Sequence, residues 1–359
     1  MNIPSLTQNQ WQKIYLPDAT CAFGDPYCIH VRRGDPAKLL FYLEGGGCSW
    51  DRESAKWPNT PETKNVFQHV ALFSVVADTH PAEFSIQTGA WSGILSTTEE
   101  NPLAGWSMVI VPYATGDFHT GTADLRFTAA DGSERVLHHH GYLNLRKVLK
   151  LVRPLFPAVE KLLISGESAG AYGVAGVSGD IMETFPECDD VTLLCDSALM
   201  SHDWSDTVRN IWQAPPHIAD AVRGTNFVVD WFRALHEKFG DVPRYLYTCG
   251  SQDETLVTFG HYLEDGRFIR DEVYCERFRQ ALGQMCDELR AISPRFAVYI
   301  HDFEKERYAP GVKHCIFANG CYTAHAMNGI TPLKWLSDAM EDNLYHVGLE
   351  LLDSDLFET

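Results

Sequence analysis

Ser168 lies between two glycines, in Gly166-Glu167-Ser168-Ala169-Gly170, directly after the apolar run Leu162-Leu163-Ile164 and before the small residues Ala171, Gly173, Ala175 and Gly176. A serine hydroxyl can attack an acyl carbonyl, but only if a base takes its proton and donors hold the oxyanion that forms. The pattern G-x-S-x-G between a strand and a helix presents such a hydroxyl. The glycines admit a turn that a Cβ would block, so the serine can occupy a strained, exposed conformation. The helix beginning at Ala169 points its positive end at a developing oxyanion. Taken alone, the pentapeptide describes a strand-to-helix turn with a capping serine equally well. A base, an acid and an oxyanion hole must therefore be found elsewhere in the chain.

Gly45-Gly46-Gly47 follows the strongly apolar stretch from Lys38 to Leu43. Three glycines in a row cost chain entropy, and close approach of backbone N–H groups to a reacting oxygen would justify them. A flexible turn is the plainer reading. For the base, imidazole has a suitable pKa, and in hydrolases built on this elbow the partners follow in the order Ser, Asp or Glu, His. Asp196 ends the first strand after the elbow and Asp253 the second. The second position is the commoner, which favours Asp253, with Asp196 left as a helix cap. His314 and His325 both follow the last strand. His314 sits in the turn introduced by Pro310-Gly311 and is preferred.

Two further clusters are weighed. Asp117 and His119, in the turn after Met108–Tyr113, either touch substrate or serve as a turn-capping acid and a solvated histidine. His138-His139-His140 suggests a metal. That reading is set aside because adjacent histidines do not share one face of a regular element and no acidic motif accompanies them.

The elements that would position these residues read as alternating strands and helices. Short strands from Trp11 to Val31 are broken by Pro17, Gly24 and Pro26. Buried strands are expected at Lys38–Leu43, Met108–Tyr113, Lys161–Ser165, Val191–Cys195, Tyr245–Cys249 and Phe296–Ile300. Helices are expected at Leu143–Phe156, after the elbow, through residues 202–240, at Glu272–Arg290 and at the close, through Trp335 and Met340. This order predicts an α/β fold with a mostly parallel central sheet flanked by helices. All 359 residues form one domain, with cap or insertion segments at about 51–105 and 202–240. The first carries Trp57, Pro58, Pro61 and Trp91, and the second Trp204, Trp212, Phe227, Trp231 and Phe232. Aromatics so spaced are more often core than binding site.

A chain of this length can bury roughly three quarters of its unfolded surface. The net charge of −19 disfavours nucleic acid or an anionic membrane as partner. The N-terminus lacks the basic and apolar regions of a secretory signal, which reads as cytoplasmic, or as secreted if the chain is a mature form. Apolar runs such as Val70–Ala77 are strand-sized, so no membrane span is expected. None of the ten cysteines forms C-x-x-C, and their pairing and the oligomeric state stay open.

Several of these segments together resemble the pectin acetylesterase and Notum family of the α/β-hydrolase superfamily. They are Tyr42-Leu43-Glu44-Gly45-Gly46-Gly47-Cys48, Thr115-Gly116-Asp117-Phe118-His119 with Gly141-Tyr142-Leu143-Asn144, the elbow itself, and Gly311-Val312-Lys313-His314. The similarity runs over roughly residues 40 to 340. It implies Ser168 as nucleophile, His314 as base and, since Ser251-Gln252-Asp253-Glu254 is similar to the family's acid motif, Asp253 as acid. It also implies an oxyanion hole made of the Gly46, Gly47 and Ala169 amides. The family commonly has Gly-Gly-Gly-Trp-Cys where this chain has Gly-Gly-Gly-Cys-Ser-Trp.

The expectation is a serine carboxylic-ester hydrolase that needs no metal or cofactor and removes acetyl groups from a carbohydrate. The alternative is a deacylase or thioesterase for longer acyl chains, as in the Notum branch. A non-catalytic binding protein is a further class, disfavoured by the intact Ser168, Asp253, His314 and glycine loop. A metal hydrolase using His138–His140 is the weakest reading.

Overall fold

The computed structural model describes residues 4–58, 74–75 and 92–353. Its strands are β1 (Trp11–Thr20), β2 (Pro26–Arg32), β3 (Asp35–Leu43), β4 (Trp106–Val111), β5 (Ala123–Thr128), β6 (Glu134–His139), β7 (Lys161–Glu167), β8 (Asp190–Asp196), β9 (Arg244–Gly250) and β10 (Phe296–His301). Eight of them make one sheet in the order β1-β2-β4-β3-β7-β8-β9-β10, while β5 and β6 pair separately as an antiparallel ribbon. From β4 across to β10 every pairing is parallel, and only β2 runs against its neighbours β1 and β4.

The parallel strands are apolar along their whole length because both faces of the sheet are covered. Along β3, Leu39, Phe41 and Leu43 enter one core and Leu40 and Tyr42 the other. On the first face lie the helices α1 (Gly141–Leu155), α2 (Ala169–Thr184), α3 (Phe227–Phe239) and α5 (Glu272–Ile292). Between α3 and α5 in sequence comes α4 (Glu254–Asp265), and the second face is covered by α6 (Pro332–Met340) through Trp335, Leu336 and Ala339. Leu163, Ile164 and Leu193 are wholly buried, and truncating such a residue to alanine costs about 2–5 kcal/mol.

The mostly parallel sheet and its flanking helices are as the sequence predicts. Three local expectations are not. Pro17 does not break the first strand, which continues to Thr20 through a shift of register after Tyr15. Residues 202–240 are helical only in part. A π turn at Thr207–Ile211, a short turn at Pro216–Ala219 and α3 are separated by loops, although Trp204, Trp212, Phe227, Trp231 and Phe232 are all core residues. The ribbon β5–β6 was not anticipated. Of the first expected cap segment, Trp57 and Pro58 are described, while Pro61 and Trp91 lie outside the described residues, as does most of the run Val70–Ala77. No disulfide links the ten cysteines, all of which are buried. Among the described residues, no helix is long and apolar enough to cross a membrane.

Candidate active site

β7 ends at Glu167 and α2 starts at Ala169, so the chain reverses within one residue, Ser168. That residue takes φ 51°, ψ −122°, a conformation costly for any side chain and kept only where the surroundings enforce it. The surroundings are glycines. A Cβ on Gly45 would lie 2.4 Å from the Glu167 carbonyl and 2.9 Å from the Ser168 Cβ, and one on Gly170 would lie 2.0 Å from the Leu43 carbonyl. The end of β3 and the elbow thus touch through backbone. Gly45, the first residue of the glycine loop, lies against Ser168 for that reason, and Gly46 and Gly47 after it take positive φ.

Asp253 follows β9 and opens α4, where its Oδ1 accepts the amide hydrogens of Thr255 and Leu256. It is wholly buried. The loop bearing His314 is sewn to the same turn: Val312 N donates to the Gln252 carbonyl at 2.9 Å and Glu254 N to the Val312 carbonyl at 3.0 Å. His314 Nδ1 lies 2.9 and 2.8 Å from the two Asp253 oxygens. A carboxylate can only accept, so Nδ1 carries the proton and Nε2 keeps its lone pair. Burial depresses the imidazole pKa, but the Asp253 charge and hydrogen bond outweigh it, and the net direction is upward. Nε2 is buried and, among the described residues, bonds no protein group, the Ser168 hydroxyl included. Such bonds are often long without substrate.

Asp196, the other candidate acid, binds no imidazole. Its carbonyl accepts Ser168 N at 2.8 Å, its Oδ2 accepts Ile316 N and Phe317 N at 2.9 Å each, and Ser197 Oγ beside it accepts Cys315 N. One strand end therefore anchors both the elbow and the loop of His314. Burial pushes its carboxyl up to about 6 against the pull of those amides. His325 lies apart, its ring 5.0 Å from that of Phe303.

His119 is not solvated, as one sequence reading held. It is buried, and its Nε2 donates to the Glu44 carbonyl at 3.0 Å, at the head of the glycine loop. Asp117 is the turn cap, accepting Thr115 Oγ1 and Gly141 N at 2.7 Å each. Ser74 belongs to none of the sequence motifs. Its amide donates to the Gly46 carbonyl, and its hydroxyl is 2.5 Å from where a Gly46 Cβ would stand.

A hydroxyl on a strained elbow, a glycine-rich backbone beside it and a carboxylate-oriented imidazole on a linked loop are together equipped for acyl transfer. Comparison with known proteins agrees in kind. Two crystal forms of the Wnt deacylase Notum from Drosophila are similar in structure at 18% identity. One has a TM-score of 0.61, covering 93% of this chain and 93% of that one, and the other 0.62, covering 95% and 96%. At that identity the likeness shows the α/β-hydrolase-like fold. A comparison with curated protein sequences finds no match. The family model described as pectinacetylesterase matches residues 9–214, more than half of the chain, including the glycine loop and Ser168. The chain therefore belongs to the pectinacetylesterase family and is a carboxylic ester hydrolase.

Proposed function

We propose that Ser168, His314 and Asp253 form a catalytic triad that removes acetyl groups from a carbohydrate. The observation that carries this is the His314 ring, held by both oxygens of a buried Asp253 with its Nε2 lone pair uncommitted. In the proposed reaction Nε2 takes the Ser168 proton as Oγ bonds to the acyl carbon. The oxyanion is met by the amides of Gly46, Gly47 and Ala169. His314 then protonates the departing sugar hydroxyl, leaving an acetyl-serine. Water, deprotonated by His314, attacks that ester, acetate leaves, and Ser168 recovers its proton. Throughout, Asp253 stabilises the imidazolium without taking its proton. The chain acts as one catalytic domain.

The test is hydrolysis of p-nitrophenyl acetate, butyrate and octanoate and release of acetate from acetylated pectin, by the wild type and by Ser168→Ala. We expect acetate to be the best acyl group and the variant, with its fold intact, to lose activity by a factor of about 10³ or more. Rates rising towards octanoate would replace the acetyl group with a longer chain. Equal rates for wild type and variant on every ester would remove Ser168 from catalysis.

A further inference from the structure

Contrary to the expectation from adjacent histidines, His138 and His140 converge with an acid from another strand, Asp124. Side chains in a strand alternate, so His138 and His139 at the end of β6 point to opposite faces, and His140, the N-cap of α1, brings its ring to 5.0 Å from that of His138. His139 is buried, with Nδ1 donating to the Thr115 carbonyl at 2.9 Å. The missing acid comes from the facing strand, where Asp124 on β5 pairs in register with His138 on β6. His138 Nδ1 lies 2.6 Å and His140 Nε2 2.9 Å from the same oxygen, Asp124 Oδ1. The three donor atoms lie within 4.8 Å of one another.

We propose that His138 Nδ1, His140 Nε2 and the Asp124 carboxylate bind one divalent transition cation of the zinc class. Two imidazoles and one carboxylate are the donors such an ion prefers, whereas calcium and magnesium take oxygen. Tetrahedral ligands at about 2.0–2.1 Å stand about 3.3 Å apart. From 2.6 and 2.9 Å, the carboxylate therefore has to withdraw by about 0.7 Å from the His138 ring and about 0.4 Å from the His140 ring. Asp124 is half exposed, and its side chain has room to make that movement. The fourth position would be left to water.

The protons can be accommodated. While both rings donate to Asp124, His138 carries its proton on Nδ1 and His140 on Nε2, and His140 Nδ1 faces Thr20 Oγ1 at 3.3 Å. On binding the metal, each ring moves its proton to the far nitrogen. For His138 that nitrogen is Nε2. For His140 it is Nδ1, which then donates to Thr20 Oγ1, so this hydroxyl serves as the outer partner that orients a metal-bound histidine. The strongly negative chain also concentrates cations around it. The ion would join the ribbon β5–β6 to His140 at the start of α1, and through Thr20 to the end of β1. It is remote in role from the ester chemistry, because no proposed step uses these three residues.

The experiment is calorimetric titration of the chelator-stripped full chain with Zn²⁺, with bound metal counted by elemental analysis. We expect one zinc per chain, a Kd weakened at least about tenfold in Asp124→Asn and in His140→Ala, and unchanged binding in Cys321→Ser. The last variant tests the other convergent group, Glu304, Cys321 and His325. If His140→Ala fails to fold, Asp124→Asn decides alone, since that side chain is exposed and the amide can keep one hydrogen bond. No uptake by the wild type, uptake unaltered by Asp124→Asn, or uptake lost only in Cys321→Ser would each overturn the assignment.

Discussion

His314 shows how one residue's surroundings set its chemistry. Burial alone would leave its imidazole harder to protonate than in water, while Asp253 reverses that and raises the pKa above its usual 6.5. In the proposed reaction His314 must be neutral to take the Ser168 proton. The acid limb of the kcat/KM profile should therefore fall above pH 6.5, with activity lost as the pH drops through it. Asp253→Asn removes the charge and leaves the burial. In that variant we expect the limb to move below its wild-type position and kcat to fall by about 10³, because the imidazolium formed in each step loses its counter-charge. A pH–rate series on a short-chain ester checks both. A limb that stays in place when Asp253 is neutralised would mean that another group titrates there.

At the scale of elements, the site is where the C-terminal ends of β3, β7, β8 and β9 come together, and Asp196 ties two of its loops. Its carbonyl fixes the elbow and its carboxylate fixes the amides of Ile316 and Phe317, just beyond His314. Asp196→Ala leaves those amides buried without an acceptor, a loss of about 1–3 kcal/mol. We expect kcat to fall about 10- to 100-fold with KM little changed, since substrate contacts remain while the base is displaced. Asp196→Asn keeps an oxygen for both amides and should recover most of the rate. Equal losses in the two variants would point to the charge itself. This role was not legible in the sequence. A strand-end aspartate could be recognised, but its partners depend on β8 lying between β7 and β9, and strand order is not written in any local pattern. The elbow and the long strands were legible for the opposite reason. A strand buried on both faces must be apolar throughout, and a backbone reversal at Ser168 demands glycine at its neighbours. The ribbon β5–β6 does leave a signal, in the alternation of buried Ala123, Leu125 and Phe127 with exposed Asp124, Arg126 and Thr128, but it is short and weak beside the longer apolar runs. The aromatics of residues 202–240 suggested continuous helix, but tertiary packing holds them in place and regular structure is not needed between them.

Across the whole molecule, a chain of net charge −19 buries several aspartates, and burial pushes the carboxyls of two of them, Asp117 and Asp196, up to about 6. Asp117 matters beyond its own turn. It joins the end of β4 to the start of α1, and the same turn carries His119 to the Glu44 carbonyl and receives His139 from the ribbon. The convergence of so many elements on one carboxylate could not be read from Thr115–His119, where the acid looks like any turn former. It also makes stability depend on pH in an uncommon direction. Unfolded, Asp117 would titrate near its ordinary 3.8; folded, it holds its proton to about 6. Below 3.8 both states are protonated and the contribution to stability is fully present. Between the two values the unfolded chain gives up a proton that the folded chain keeps, so each rise in pH favours unfolding until the folded pKa is passed. The interval corresponds to about 3 kcal/mol. Asp117→Asn cannot titrate. It will bear a constant penalty, because its amide group faces the Gly141 N–H that the carboxylate accepted, but its stability relative to the wild type should improve by about 3 kcal/mol between pH 3.5 and 6.5. Urea unfolding of both proteins across that range measures the difference directly, with every other titrating group common to the pair. A difference that stays flat would mean that the hydrogen bonds to Asp117 outweigh its burial and keep it ionised in the fold, as they do for an ordinary capping acid.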